Sequence, residues 1–179
     1  MIFPQADSLV YDWASSEIPD VQWAFAEQNS MPFDLNTYPN GIGIIKLISI
    51  KNNGRGFVES TYNSNDDKFD LEYDSDKELM YSINLYGNNA FLKAEQLRNS
   101  VYFPNVNDLF VKNQLGFVMT SEHRNLTDMI SAQWEPRSQF DIIFYYKVNY
   151  NKQIDRIAEV NVKGNIDDGK IETDQKFIL

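Results

Sequence analysis

Between Tyr81 and Tyr146 the chain reads first as a strand, YSINLYG, then as a helical stripe through NNAFLKAEQLRNSVY, then as a second short helix. It returns to alternation in WEPRSQFDIIFYY. A period of two that gives way to 3.6 and then returns restricts the architecture. A sheet must receive strands on either side of a helix pair, and the helices must bury their stripes against it. Leu79, Tyr81, Ile83 and Leu85 share one face of the first strand. Gly87 breaks that strand, Asn88 or Asn89 stands where a cap is needed, and Ala90, Ala94, Leu97 and Val101 form the stripe of the helix. Pro104 closes it. Val106, Leu109 and Phe110 line the second helix, with Gly116 where a left-handed cap is expected, directly before the strand FVMTS. Asn125 to Gln133 reads as a polar loop with one helical turn, and Phe140, Ile142, Phe144, Tyr146 and Val148 alternate along a strand ending near Asn149.

On the amino-terminal side, Val10, Trp13 and Ala14 predict a helix over Pro4 to Ser15, and Pro19 prevents its continuation. VQWAFAEQN suits a strand through Val21, Trp23 and Phe25, or a helix through Val21, Ala24 and Phe25. From Gly41 to Lys51, Ile42, Ile44, Ile48 and Ile50 share a face and Ile45 and Leu47 take the other, the pattern of a central strand covered on both sides. FVESTY and KFDLEYD form a hairpin through NSNDD. In its second arm Phe69, Leu71 and Tyr73 point one way and Asp70, Glu72, Asp74 and Asp76 the other. Ala158, Val160 and Val162 mark a last strand, paired to the preceding one through NYNKQ, with Glu159, Asn161 and Lys163 outward. After Gly164 the pattern fades, and the Asp167-Asp168-Gly169 turn and the ending KFIL suit either a closing strand or a tail that docks on a neighbour. The expectation is an α+β single domain over residues 1–179: a mixed, mostly antiparallel sheet, helices on one face and a protruding hairpin. Within it lie an N-terminal helix region (1–20), an acidic hairpin (56–76) and a C-terminal tail (165–179).

A length of 179 residues, with 42% hydrophobic and 14% aromatic side chains, suits one folded domain rather than a disordered chain. No apolar run approaches the roughly 18 residues of a membrane span. The start MIFPQADSLVYDW lacks a basic, apolar leader and the chain has no cysteine, as expected of assembly in a bacterial cytosol. Without a secretory signal the acceptor sequence Asn125-Leu126-Thr127 is a chance match. A formal charge of −10 disfavours a protein that grips phosphates over its general surface.

Reacting groups are scarce. Nucleophilic catalysis needs an activated nucleophile held by a base, but the only histidine is His123, and no G-x-S-x-G turn occurs. Gly41-Ile42-Gly43 and Gly54-Arg55-Gly56 are fragments of turns rather than phosphate loops, and His123 alone cannot supply a zinc site. The run NSNDDKFDLEYDSDKE is rich in oxygen ligands but lacks the spacing of a calcium loop. No catalytic, cofactor or metal residue is assigned. Asp70, Glu72, Asp74 and Asp76 either solubilise an exposed hairpin or, if copies surround a channel, line a lumen that repels DNA phosphates.

One set of marks carries a resemblance. Tyr86-Gly87 precedes the helix pattern A-x-x-x-A-x-x-L-R-x-S at Ala90, Ala94, Leu97, Arg98 and Ser100. W-E-x-R-x-x-x-D follows at Trp134, Glu135, Arg137 and Asp141. In order and spacing this resembles the phage neck or tail terminator family from about Val21 to Asn165. The resemblance implies a strand at VQWAFAEQN and a non-enzymatic virion protein assembled in the host cytoplasm. It also implies a hexameric ring that caps the tail tube protein, meets the head connector and lets DNA pass without specific binding, with no membrane and no cofactor. Glu135 and Arg137 then pair either across a subunit boundary or within one chain around a buried Trp134. Pro136, the hairpin from Asn63 to Asp76 and the tail after Asn165 depart from the family pattern. The alternatives are a head-completion or connector protein and, from a different class, a monomeric acidic binding module such as a DNA mimic.

Overall fold

The computed structural model describes residues 4–26, 35–130, 133–155, 159–164 and 173–178. They fall into two compact units, one of Met1–Arg55 with Ser75–Val148 and one of Gly56–Asp74 with Asn149–Leu179.

The first unit opens with helix α1 (Pro4–Glu17), whose Ala6, Leu9, Val10, Trp13 and Ala14 are buried in the common core. Ile18 still donates its N–H to Ala14 O, and Pro19 then stops the helix. Strand β1 (Gln22–Phe25) follows and pairs in parallel with the start of β2 (Ile42–Asn63), in the register Gln22↔Ile42 to Phe25↔Ile45. Trp23 lies flat over Gly43, where an added Cβ would come within 2.3 Å of the ring, and its Nε1 donates to Ile18 O. Next come β3 (Lys68–Tyr86), helices α2 (Ala90–Ser100) and α3 (Pro104–Lys112), β4 (Leu115–Thr120), β5 (Arg124–Asn125), a ribbon of β6 (Asp128–Ile130) and β7 (Gln133–Glu135), and β8 (Arg137–Asp155). The main sheet has the order β1-β2-β3-β8-β4, with β5 also on β8. Alternate residues Leu79, Tyr81, Ile83 and Leu85 of β3 and Phe140, Ile142 and Phe144 of β8 enter the core that holds the buried stripes of all three helices. The helices therefore cover one face, as the binary pattern requires.

Two buried polar contacts tie α1 to this core. Trp13 Nε1 donates to Ser100 Oγ at 2.9 Å, and Ser100 donates onward to Leu97 O. Tyr81 donates its hydroxyl to Asp7 Oδ1 at 2.8 Å, with Asp7 only 4% exposed. Burial, and then the carboxylate beside it, push the Tyr81 phenol far above its ordinary value of 10.0. The native state holds this proton more tightly than the unfolded chain does, so the contribution is fully present below about pH 10 and is lost as pH rises beyond it. Denaturant titrations should show stability falling above about pH 10 more steeply in the parent than in Tyr81→Phe. The variant should also be weaker at neutral pH by about 1.5–3 kcal/mol, because a buried carboxylate loses its donor. Equal alkaline slopes would place the titrating group elsewhere.

The second unit is described by itself. The arms of β2 and β3 meet in the turn Ser64–Asp67, with Asp67 at φ 53. Tyr62 and Phe69 meet at a tilt across it, and Tyr73 lies over Gly56 on one side and stacks on Tyr150 on another. Strands β9 (Glu159–Gly164) and β10 (Thr173–Ile178) form an antiparallel pair.

Several expectations change. The segments expected as separate strands are continuous: β2 runs for 22 residues and β3 for 19. Among the described residues strand β2 has a strand on both sides only from Ile42 to Ile45, and Ile48 and Ile50 are exposed rather than covered. Asn89 is the N-cap residue of α2 but adopts φ 58 and makes no side-chain cap bond. Pro104 opens α3 rather than closing α2, because its fixed φ and missing N–H suit the first helical position. The left-handed residue after α3 is Gln114, at φ 61, and Gly116 is inside β4, while Leu109 faces outward. Asn125 to Gln133 contains strand pairing in place of a helical turn. NYNKQ continues β8 to Asp155, so β9 pairs with β10 and not with β8. Lys176, Phe177 and Ile178 of KFIL supply half of the closing strand. Ala158, the Asp167-Asp168-Gly169 turn and the facing of the β9 side chains lie outside the described residues.

Candidate interaction surfaces

The two halves of the sequence pattern meet in space. Gly87 sits at φ 98, with a Cβ there reaching within 2.9 Å of Gly41 Cα, so only glycine fits; its N–H donates to Pro136 O at 3.0 Å. Arg137 donates through Nη2 to Asn84 Oδ1 at 2.9 Å and lies 5.1 Å from the centre of the Tyr86 ring. Pro136 thus marks the break between β7 and β8 while its carbonyl takes part in the junction. Ala90, Ala94 and Leu97 are buried, Arg98 Nε donates to Ser121 O at 2.8 Å, and Ser100 receives Trp13. Asp141 accepts an ion pair from Arg124 at 3.5 Å, and its N–H donates to Ser121 Oγ. These residues build the fold. Glu135 and Arg137 do not pair with each other within the chain, and Trp134 is 68% exposed, which corrects the reading of an intramolecular pair around a buried Trp134.

Ser121, His123 and Asp141 are neighbours without forming a relay. Ser121 Oγ donates to Glu122 O, the His123 ring meets Phe91 at a tilt with centroids 4.1 Å apart and Nε2 buried and unpartnered, and Asp141 is engaged with Arg124. With no base on the hydroxyl, the serine is not activated. Among the described residues no group of three or more His, Asp or Glu side chains could hold a metal, and no helix is long and apolar enough to cross a membrane.

The acidic arm is hydrogen-bonded within its own unit. Asp70 receives Gln153 Nε2 at 2.7 Å and Asn63 Nδ2 at 3.3 Å, and Asp74 receives Asn149 Nδ2 at 2.8 Å, a group also bonded to Glu72. Carboxamide donors hold the carboxylates in place without neutralising them. Glu59, Thr61, Asp70, Leu71, Glu72, Asn151, Lys152 and Gln153 line a shallow open groove of about 410 Å³. Asp76, also exposed, belongs to the first unit.

Outward apolar groups are the remaining feature. In the β6–β7 ribbon Met129 faces Trp134 directly, and Met129 is 54% exposed. Leu92 and Val111 stand out from the two helices, Tyr102 and Phe103 from the turn between them, and Ile48 and Ile50 from β2. Sequence reasoning missed the Met129–Trp134 pair. The available signal was a tryptophan between Gln133 and Glu135 in a polar segment, a setting that a core residue seldom has.

The helices cover one face of the sheet, and exposed aromatic and aliphatic side chains give the first unit surfaces of the kind that other proteins bind. The model of the phage neck terminator protein family matches residues 8–169, and the chain belongs to that family. It is a structural protein of the bacteriophage neck, associated with other tail or head proteins. No curated protein matches the chain.

Proposed function

We propose that this protein forms a hexameric ring on the last layer of the tail tube, ends tube polymerisation and joins the tail to the head connector, leaving a channel for DNA. The family match over residues 8–169 carries the reading. The mechanism is geometric and needs no catalysis. A head-to-tail contact that closes after a fixed rotation makes a ring, and a ring whose upper face differs from the tube subunit cannot template another layer. The formal charge of −10 suits a wall that DNA passes without sticking. On this reading Asp70, Glu72, Asp74 and Asp76 line the channel, the ring is assembled in the host cytoplasm, and its seat is the virion neck.

Negative-stain electron microscopy of the purified protein, alone, with tail tubes and with portal-bearing heads, tests the proposal. Rings at tube ends are the expected result. Docking on the portal with bare tube ends would make it a connector protein, and a monomer or dimer that docks on neither would overturn the ring.

A further inference from the structure

The β6–β7 ribbon is a two-stranded sheet of its own, with no third strand among the described residues. It is rooted in the main sheet, continuing the register of β5 on β8 through the bond from Leu126 N–H to Arg137 O, and a two-stranded tip beyond such a root is weakly held without a packing partner. Yet it carries an exposed cross-strand pair of Met129 and Trp134, residue types that concentrate at interface centres. The next pair along it places Asp128 opposite Glu135, two like charges whose repulsion a cation from outside would relieve. From Asp128 to Glu135 there is no Lys or Arg.

A second surface of the same chain has the opposite character. KLISIKNNGR, residues 46–55, carries Lys46, Lys51 and Arg55 and no acid, a local +3 in a chain of net charge −10. Here Ile48 and Ile50 are 44% and 43% exposed. The cover of β1 ends at the Phe25↔Ile45 pair, and past it β2 has only β3 as a strand neighbour among the described residues. An uncovered strand edge offers backbone donors and acceptors to another chain.

We propose that the β6–β7 ribbon of one copy docks on residues 46–55 of the next copy of this chain. Trp134 and Met129 pack against Ile48 and Ile50, and Asp128 and Glu135 face the basic side chains of β2. The two patches differ, so an open chain of copies keeps one unused patch of each kind, one at either end, and the contact repeats until it closes. The inference rests on the ring reading and names the surface that makes the ring.

The chain has no cysteine, so paired cysteines report the contact cleanly. Trp134→Cys combined with Ile50→Cys, oxidised on tail tubes, should give a ladder of covalent multimers beyond the dimer on a non-reducing gel, while each single variant stays monomeric. Asp128→Lys with Glu135→Lys should lower ring occupancy at tube ends by about tenfold, and adding Lys46→Glu, Lys51→Glu and Arg55→Glu should restore it. Glu135 is half-buried and the other positions are exposed, so thermal unfolding measured on every variant separates lost contact from lost fold. Parent rings together with monomeric double-cysteine chains and unaffected charge variants would overturn the interface and leave the ring standing. Cross-links only to the tube protein would assign the ribbon to that partner and overturn the contact between copies. Absence of parent rings on tubes would overturn both readings.

Discussion

Truncation of Trp13 to alanine should lower the stability of the fold by about 3–5 kcal/mol, the range for a large aromatic removed from a packed core. The side chain is fully buried, meets Phe110 edge-on at 5.7 Å and donates to Ser100 Oγ. Ser100 keeps its bond to Leu97 O in the variant, so the loss is dominated by the cavity rather than by an orphaned hydroxyl. Trp13→Phe should cost less, because it retains most of the ring volume and the edge contact. Leu97→Ala, at the facing position of α2, should cost about 2–5 kcal/mol. Against a typical total of about 5–15 kcal/mol, either alanine variant removes a large share. Urea titration with an unchanged slope measures the effect; a midpoint equal to the parent's would mean that α1 or α2 is not packed as described.

Reversal of Asp70, Glu72 and Asp74 to lysine should slow genome release from assembled particles, on the proposal that this face lines the channel. Six copies of three reversals, each worth two units, shift the lumen by about 36 charges. A basic wall binds DNA with salt-sensitive strength, so the delay should be large at low salt and shrink as salt rises. The carboxylates also accept hydrogen bonds from Gln153 and from Asn149, which lysine cannot do. The combination of Asp70→Asn, Glu72→Gln and Asp74→Asn therefore provides the control: it retains acceptor oxygens, removes the charge and should change release much less than the lysines do. Release kinetics from purified particles at both salt levels decide the matter, and rates equal to the parent's throughout would remove the lumen assignment.

Much of the first unit was legible in the residue order. The stripe Ala90, Ala94, Leu97 and Val101, the alternation Leu79, Tyr81, Ile83 and Leu85, and the α1 face with Val10, Trp13 and Ala14 are all buried as their periods require. Each such element packs one face against the core, and that asymmetry writes itself into the sequence. The pattern is silent where neither face packs. Residues 51–55 are exposed and carry no apolar side chain, so they read as a break between strands, yet backbone pairing carries β2 through them to Asn63. The same holds for NYNKQ at the end of β8. Hydrogen bonds along a ladder come from main-chain groups that every residue but proline supplies, and they leave no mark in side-chain order.

The interaction surfaces divide in the same way. The acidic row could be listed from alternation alone, but its carboxamide partners come from Asn149 and Gln153, about eighty positions away. The exposure of Trp134 contradicts its residue type, and the buried Tyr81–Asp7 bond joins positions 74 apart. Local sequence determined the α+β class, the helix faces and the one-sided cover of the sheet, because helix and strand periods are properties of neighbouring residues. Tertiary structure alone decided which apolar groups remain outside and which charges find partners, because burial and pairing depend on what distant segments bring to the same place.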